Sequence, residues 1–148
     1  MKGQVSTEYL IILAVVLVIA LVVVYLVSQS TGLAGGVIES QSQAYWKEVS
    51  PLAVNQFSAA GTTLSLEMIN NAQETVTLTS LSGTGITTYA VSTAFAPGQT
   101  RVLSVTLAAS CGTTGTSYSY GNITVVYSQG LIAGKTYVGQ KPFAGKCS

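Results

Sequence analysis

The chain has 148 residues, six of them basic and five acidic, with no histidine and two cysteines. A net charge near zero leaves no basic field for nucleic acid and no acidic tail. There is no aspartate, and Glu67 and Glu74 are the only carboxylate side chains after residue 50, so general acid–base catalysis lacks a candidate and an enzyme is not expected.

The first element is an apolar run from Tyr9 to Val27 without charge, Gly or Pro. As a helix, its roughly 19 residues span about 28 Å, close to a bilayer core of about 30 Å. No polar stripe interrupts it, as one would in the helix of a soluble core. Small polar residues follow (Ser28, Ser30, Gly32), so removal of the run as a secretory signal is an alternative. Lys2 precedes the run and the next cation is Lys47, which places residues 1–8 in the cytoplasm and the remainder outside.

The helical pattern continues past the membrane edge. Leu33, Val37, Ile38, Tyr45 and Val49 recur at about one or two turns, and Pro51 is a natural stop. A helix from about Val5 to Val49 would run roughly 65–70 Å. Gly32, Gly35 and Gly36 weaken it by roughly 1 kcal/mol each against Ala. They form either a flexible joint or a surface for close helix packing; close packing, with room for a kink, is the favoured reading.

After Pro51 the period changes to two. Residues 63–70 and 75–79 alternate apolar and polar around a turn at Asn70-Asn71-Ala72-Gln73. Further strands are expected over 86–93, 100–108, 122–128 and 135–142, with a turn at Pro97-Gly98. Their inward set is Leu64, Leu66, Met68, Val76, Leu78, Tyr89, Val91, Leu103, Val105, Leu107, Ile123, Val125 and Tyr127. Some six short Thr- and Val-rich strands at this spacing suggest an antiparallel sandwich. The fold class is therefore α+β: a long N-terminal helix, then a β-sandwich head. The head, residues 51–148, is long enough for a core of its own.

The head offers few sites. Glu67 lies on the polar face of its strand and Glu74 beside a turn, so both read as solvated surface. Gly112 to Gly121 reads as a Gly/Ser/Thr/Tyr loop: a flexible surface segment or, through Tyr118 and Tyr120, a contact surface. Cys111 and Cys147 lie in the external part, where a pair of cysteines usually forms a disulfide; two unrelated buried thiols are the alternative. Two Cys without His fall short of a metal's usual four ligands, and no metal or other cofactor is expected. Asn122-Ile123-Thr124 is a sequon for N-linked sugar.

Glu8 stands at the lip of the apolar run. It is either an acid near a helix N-terminus, complementing the dipole, or a group that needs a cation once the helices are packed together away from water. Cleavage after Gly3 would create that cation as the α-amino group of Gln4.

The segment Gly3-Gln4-Val5-Ser6-Thr7-Glu8-Tyr9-Leu10 resembles the class III signal peptide of archaeal type IV pilins, with its Gln-x-Ser-x-Glu pattern. The resemblance covers about residues 1–27. Archaeal flagellins share the plan but usually have a Gly-rich start after the cut, so the chain is closer to adhesion pilins. The resemblance implies a leader of residues 1–3, cut by a prepilin peptidase between Gly3 and Gln4, and a helix over 4–50 that anchors the precursor in the membrane. It also implies an assembly ATPase, a membrane platform protein, and a surface filament in which the chain forms a homopolymer with itself. Glu8 would meet the Gln4 amine of a neighbour, unless Gln4 has cyclised to pyroglutamate. The head resembles the immunoglobulin-like sandwich of the same proteins in strand spacing. Two other roles fit the same N-terminus: a minor pilin or pseudopilin, and a surface binding protein held by an uncleaved helix.

Overall fold

The computed structural model describes residues 2–148, without the side chains of residues 2–5 and 29–35. The chain forms two compact units, Met1–Gly36 and Val37–Ser148. One helix, α1 (Lys2–Glu48), supplies the first unit and the opening turns of the second. Ten strands follow: β1 (Leu52–Ala60), β2 (Thr63–Asn70), β3 (Val76–Gly83), β4 (Ile86–Tyr89), β5 (Thr93–Phe95), β6 (Thr100–Thr106), β7 (Ser117–Tyr120), β8 (Thr124–Gln129), β9 (Ile132–Val138) and β10 (Phe143–Lys146).

In the first unit every described side chain from Ser6 to Ser28 is exposed, the apolar ones included. A run this uniform has no preferred face to bury. The segment Ser6–Ser28 is long and apolar enough to cross a membrane.

In the second unit the end of α1 packs by one face. Ser42 and Trp46 are fully buried and Tyr45 and Val49 half-buried, a spacing of three to four residues. Val37 and Ile38, expected on that face, are more than half exposed, so the packed stripe begins one turn later. The helix ends at Glu48, ahead of the Ser50–Pro51 bond, which is cis.

The strands make two antiparallel sheets and a ribbon. One sheet runs β1-β2-β6, the other β4-β3-β8-β9 with β5 also on β3, and β7 pairs with β10. The first two strands share a sheet with β6, and β3 shares one with β8 and β9. This is the strand distribution of an immunoglobulin-like Greek key. The register sets Leu64 opposite Val105 and Leu66 opposite Leu103 in one sheet, and Leu81 opposite Val125 in the other. The inner faces share a single core with Trp46 and Phe143. The buried Asn70 is fully satisfied: its Nδ2 donates to Glu74 O at 2.8 Å and Phe95 O at 2.9 Å, and its Oδ1 accepts from Ala72 N at 2.8 Å. The expected turn at Asn70 is thereby pinned from inside.

Several expected strands differ from those observed. β1 and β10 fall outside the expected set. The strand expected over 86–93 breaks into β4 and β5, because the chain swings outward at Val91, which is 59% exposed rather than inward-facing. The segment read as a loop between Gly112 and Gly121 contains β7, whose Tyr118 is buried in the core and stacks on Tyr120 at 5.2 Å. Tyr118 is therefore a core residue and not part of a free contact surface. Tyr89 and Tyr127, expected inward, are half-buried at the core margin. The other ten inward assignments are buried.

Candidate functional site

The N-terminal segment carries the sequence's sharpest chemistry. α1 starts at Lys2 and has no acidic residue in its first turn, so Glu8 falls in the second turn. There the helix dipole has largely faded, which weakens the dipole account of Glu8. Glu8 is exposed in the single chain. Gln4 lies one turn earlier in α1, but the Gln4 side chain and the surroundings of Gly3, Gly32 and Gly35 lie outside what the structure describes. Gly36 is described: it is helical and exposed, and a Cβ there would meet nothing within 4 Å. That space is what a closely approaching helix would use.

The head is tied to its own opening helical turns by the C-terminal segment. Trp46 lies 4.4 Å from Phe143 of β10, ring centre to ring centre, and Phe57 packs on Phe143 at 4.9 Å. The Ser42 hydroxyl donates to Pro142 O, and Trp46 Nε1 reaches the same oxygen at 3.4 Å. Tyr45 Oη accepts from Gln140 N at 2.8 Å. Gly139 sits directly against the indole: a Cβ there would lie 2.3 Å from Trp46 Cη2. Of these helical residues the sequence pattern places Tyr45 on the apolar stripe but not Ser42 or Trp46. The signal for them was Ser42 and Trp46 four apart on a helix rich in polar residues.

Cys111 and Cys147 form a disulfide that closes a loop of 36 residues, with Cα atoms 5.9 Å apart. Around it Gly115 N donates to Cys147 O and Cys147 N to Thr116 O, both at 2.8 Å, while Ser148 N donates to Ala59 O at 2.9 Å. The tail is thus held covalently and by backbone bonds to two different parts of the head.

Asn122 is exposed in the left-handed conformation, φ 51°, between β7 and β8. Its Nδ2 donates to Thr84 Oγ1 at 3.1 Å, and the Thr124 hydroxyl points back to Asn122 O at 3.5 Å. Glu67 accepts from Gln56 Nε2, and Glu74 is exposed beside the turn at Gly130. Burial pushes the Tyr118 hydroxyl up to about 12, with the charge of Glu39 as the next cause. Burial likewise raises Tyr137, whose hydroxyl donates to Leu52 O at 2.9 Å. Both phenols are structural. Among the described residues no group of His, Cys, Asp and Glu could hold a metal ion.

Residues 2–27 match the class III signal peptide family. The match takes in Gly3, Gln4, Glu8 and the whole apolar run, and leaves the head outside it. No curated protein matches the chain. A class III signal peptide marks a type IV pilin or pseudopilin precursor, anchored in the membrane by its apolar helix and processed by a prepilin peptidase before it enters assembly machinery.

Proposed function

We propose that the chain is the structural subunit of an extracellular type IV pilus of the archaeal kind, serving adhesion, and that it is not an enzyme. Residues 1–3 are its leader, 4–50 its anchor and later the filament core, and 51–148 its outward head. The observation that carries this reading is the first unit. From Ser6 to Ser28 an apolar helix exposes every side chain, behind a leader of the class III type. Water cannot solvate that surface, so lipid covers it first and neighbouring helices cover it in the filament.

Leaving lipid for a helix bundle gains little apolar burial, so the gain must come from packing of small and β-branched side chains. Gly32, Gly35 and Gly36 allow close approach at the head end of that helix. At the other end, packing withdraws Glu8 from water, and an unpaired buried carboxylate costs several kcal/mol. The α-amino group that cleavage exposes on Gln4 of a neighbour offsets that cost. A prepilin peptidase, an assembly ATPase and a platform protein supply the cut and the work. The sequon at Asn122 carries a glycan on the exposed surface.

The test is Gly3→Val in the full chain, with electron microscopy and N-terminal sequencing. The parent should yield filaments whose subunit starts at Gln4, and the variant should keep Met1-Lys2-Gly3 and stay in the membrane fraction. A variant that still loses its leader and polymerises overturns the cleavage assignment. A parent that keeps its leader and is extracted by detergent as a monomer overturns the filament reading in favour of an uncleaved anchor.

A further inference from the structure

β8 and β9 are joined by a two-residue turn, Gly130-Leu131, with Gln129 paired to Ile132. Gly130 has φ 56°, the positive value needed at the first position of such a turn. A Cβ there would also sit 2.9 Å from the Glu74 carboxylate, so the turn is closely seated. Lys135 Nζ donates to Gln129 Oε1 at 3.2 Å and braces it from the other side. This fixed turn presents Leu131 completely to solvent, with Ile132 beside it 59% exposed. Such turns normally carry polar residues.

At the opposite end of β9 lies a groove of about 440 Å³. Tyr45, Val49, Tyr137 and Val138 give it apolar and aromatic wall, and Glu48, Ser50 and Gln140 add polar groups. Both tyrosine hydroxyls are already hydrogen-bonded, Tyr45 to Gln140 N within the groove wall and Tyr137 to Leu52 O, so what the rings have left to offer an occupant is apolar surface. The tip and the groove are separated by the length of β9, roughly 20 Å for seven residues.

We infer that Leu131 and Ile132 of one copy seat in this groove of a second copy. The proposal rests on the filament reading above. Two features select that occupant. First, tip and groove lie at opposite ends of one strand, so their contact is head-to-tail and propagates instead of closing into a two-fold dimer. Second, two side chains in a groove bury far less than the ~1,200 Å² that holds a stable pairwise complex. A free soluble partner would not be retained, whereas a neighbour already held by its helix is present at high effective concentration. Charge does not oppose the contact: Lys135 and Glu74 flank the tip with opposite signs, and Glu48 lines the groove, so the two sides do not repel each other.

Leu131→Cys and Val138→Cys, singly and together in the full chain, test this in purified filaments treated with a short thiol cross-linker. Val138 is 52% exposed, so neither change enters the core. On denaturing gels the double variant should give a ladder extending past dimer, and each single variant a monomer. A double variant that stays monomeric within intact filaments overturns the contact alone. A dimer from either single variant overturns it in favour of a two-fold pairing. Absence of filaments from the unmodified chain overturns the filament reading and this contact with it. Should Leu131→Cys block polymerisation while leader removal stays normal, Leu131→Met decides: recovery supports the apolar seat, and no recovery overturns it.

Discussion

Replacing both Cys111 and Cys147 with Ser should destabilise the head globally without rearranging it. The disulfide closes 36 residues of chain, and in the loop-entropy account that closure contributes about 3.8 kcal/mol by restricting the unfolded state. The folded state keeps other reasons to hold the tail. Phe143 is fully buried against Trp46 and Phe57, and β10 pairs with β7 along its length. The chain's only tryptophan is Trp46, so its fluorescence reports on this packing without labelling. In detergent micelles, the double Ser variant should show the parent's emission maximum before denaturation. At a slope of about 1.5 kcal/mol per molar urea, its midpoint should fall by about 2.5 M. A midpoint that moves by less than about 0.5 M would refute the loop-closure argument. An emission maximum already red-shifted in the native variant would refute it differently, by showing that the bond holds Trp46 in place in the folded state.

Four further outcomes follow from named contacts. Gly139→Ala drives a Cβ to 2.3 Å from Trp46 and should cost about 1–3 kcal/mol or more, read by the same urea titration with a native-state shift in indole emission. Tyr118 and Tyr137 both have raised folded-state pKa values, so their contribution is complete below the unfolded value of 10.0 and is lost as pH rises beyond it. The urea midpoint should therefore be flat from neutral pH to about 9 and fall from pH 10 towards 12, and a flat profile there would count against buried phenols. Glu8→Ala should leave leader removal intact but lower filament yield by about tenfold or more, since the Gln4 amine then lacks its partner; normal yield and subunit alignment would remove the pairing idea. Intact mass of the mature subunit should exceed the peptide mass by a glycan that Asn122→Gln abolishes, and the same spectrum shows whether Gln4 has lost ammonia to become pyroglutamate.

Much of the head was legible because period-two alternation survives where one sheet face meets the core and the other meets water. β2 runs over Thr63–Asn70, the limits read from the sequence, with Leu64, Leu66 and Met68 inward. β1 hid for a physical reason. Leu52, Ala53 and Val54 are buried in succession, and a bulge between Val54 and Gln56 shifts the alternation for the rest of the strand. β7 and β10 are four residues each, too short to outweigh the Gly and Pro around them. The Ser-Tyr-Ser-Tyr pattern of β7 did carry an alternation, masked by the flanking glycines. Trp46 was hard to read in another way: its spacing from Ser42 hints at a packed face, but the partner is the C-terminal segment almost a hundred residues later, which local periodicity cannot identify.

The N-terminal site was read almost wholly from sequence, and the single chain shows why a fold adds less there. A core residue announces itself in a monomer because its partners belong to the same chain. Glu8 does not: in isolation it is exposed, as are the apolar residues that follow it. Its energetic problem arises only when neighbouring helices displace the water and lipid around it, and its proposed cation does not exist until the bond after Gly3 is cut. The exposed apolar helix and the Leu131 tip share this property. Each is unfavourable in water; lipid can cover the helix of a single copy, and on the proposed filament reading neighbouring copies would cover both, so the residues least explained by the monomer's core are the ones to examine for assembly.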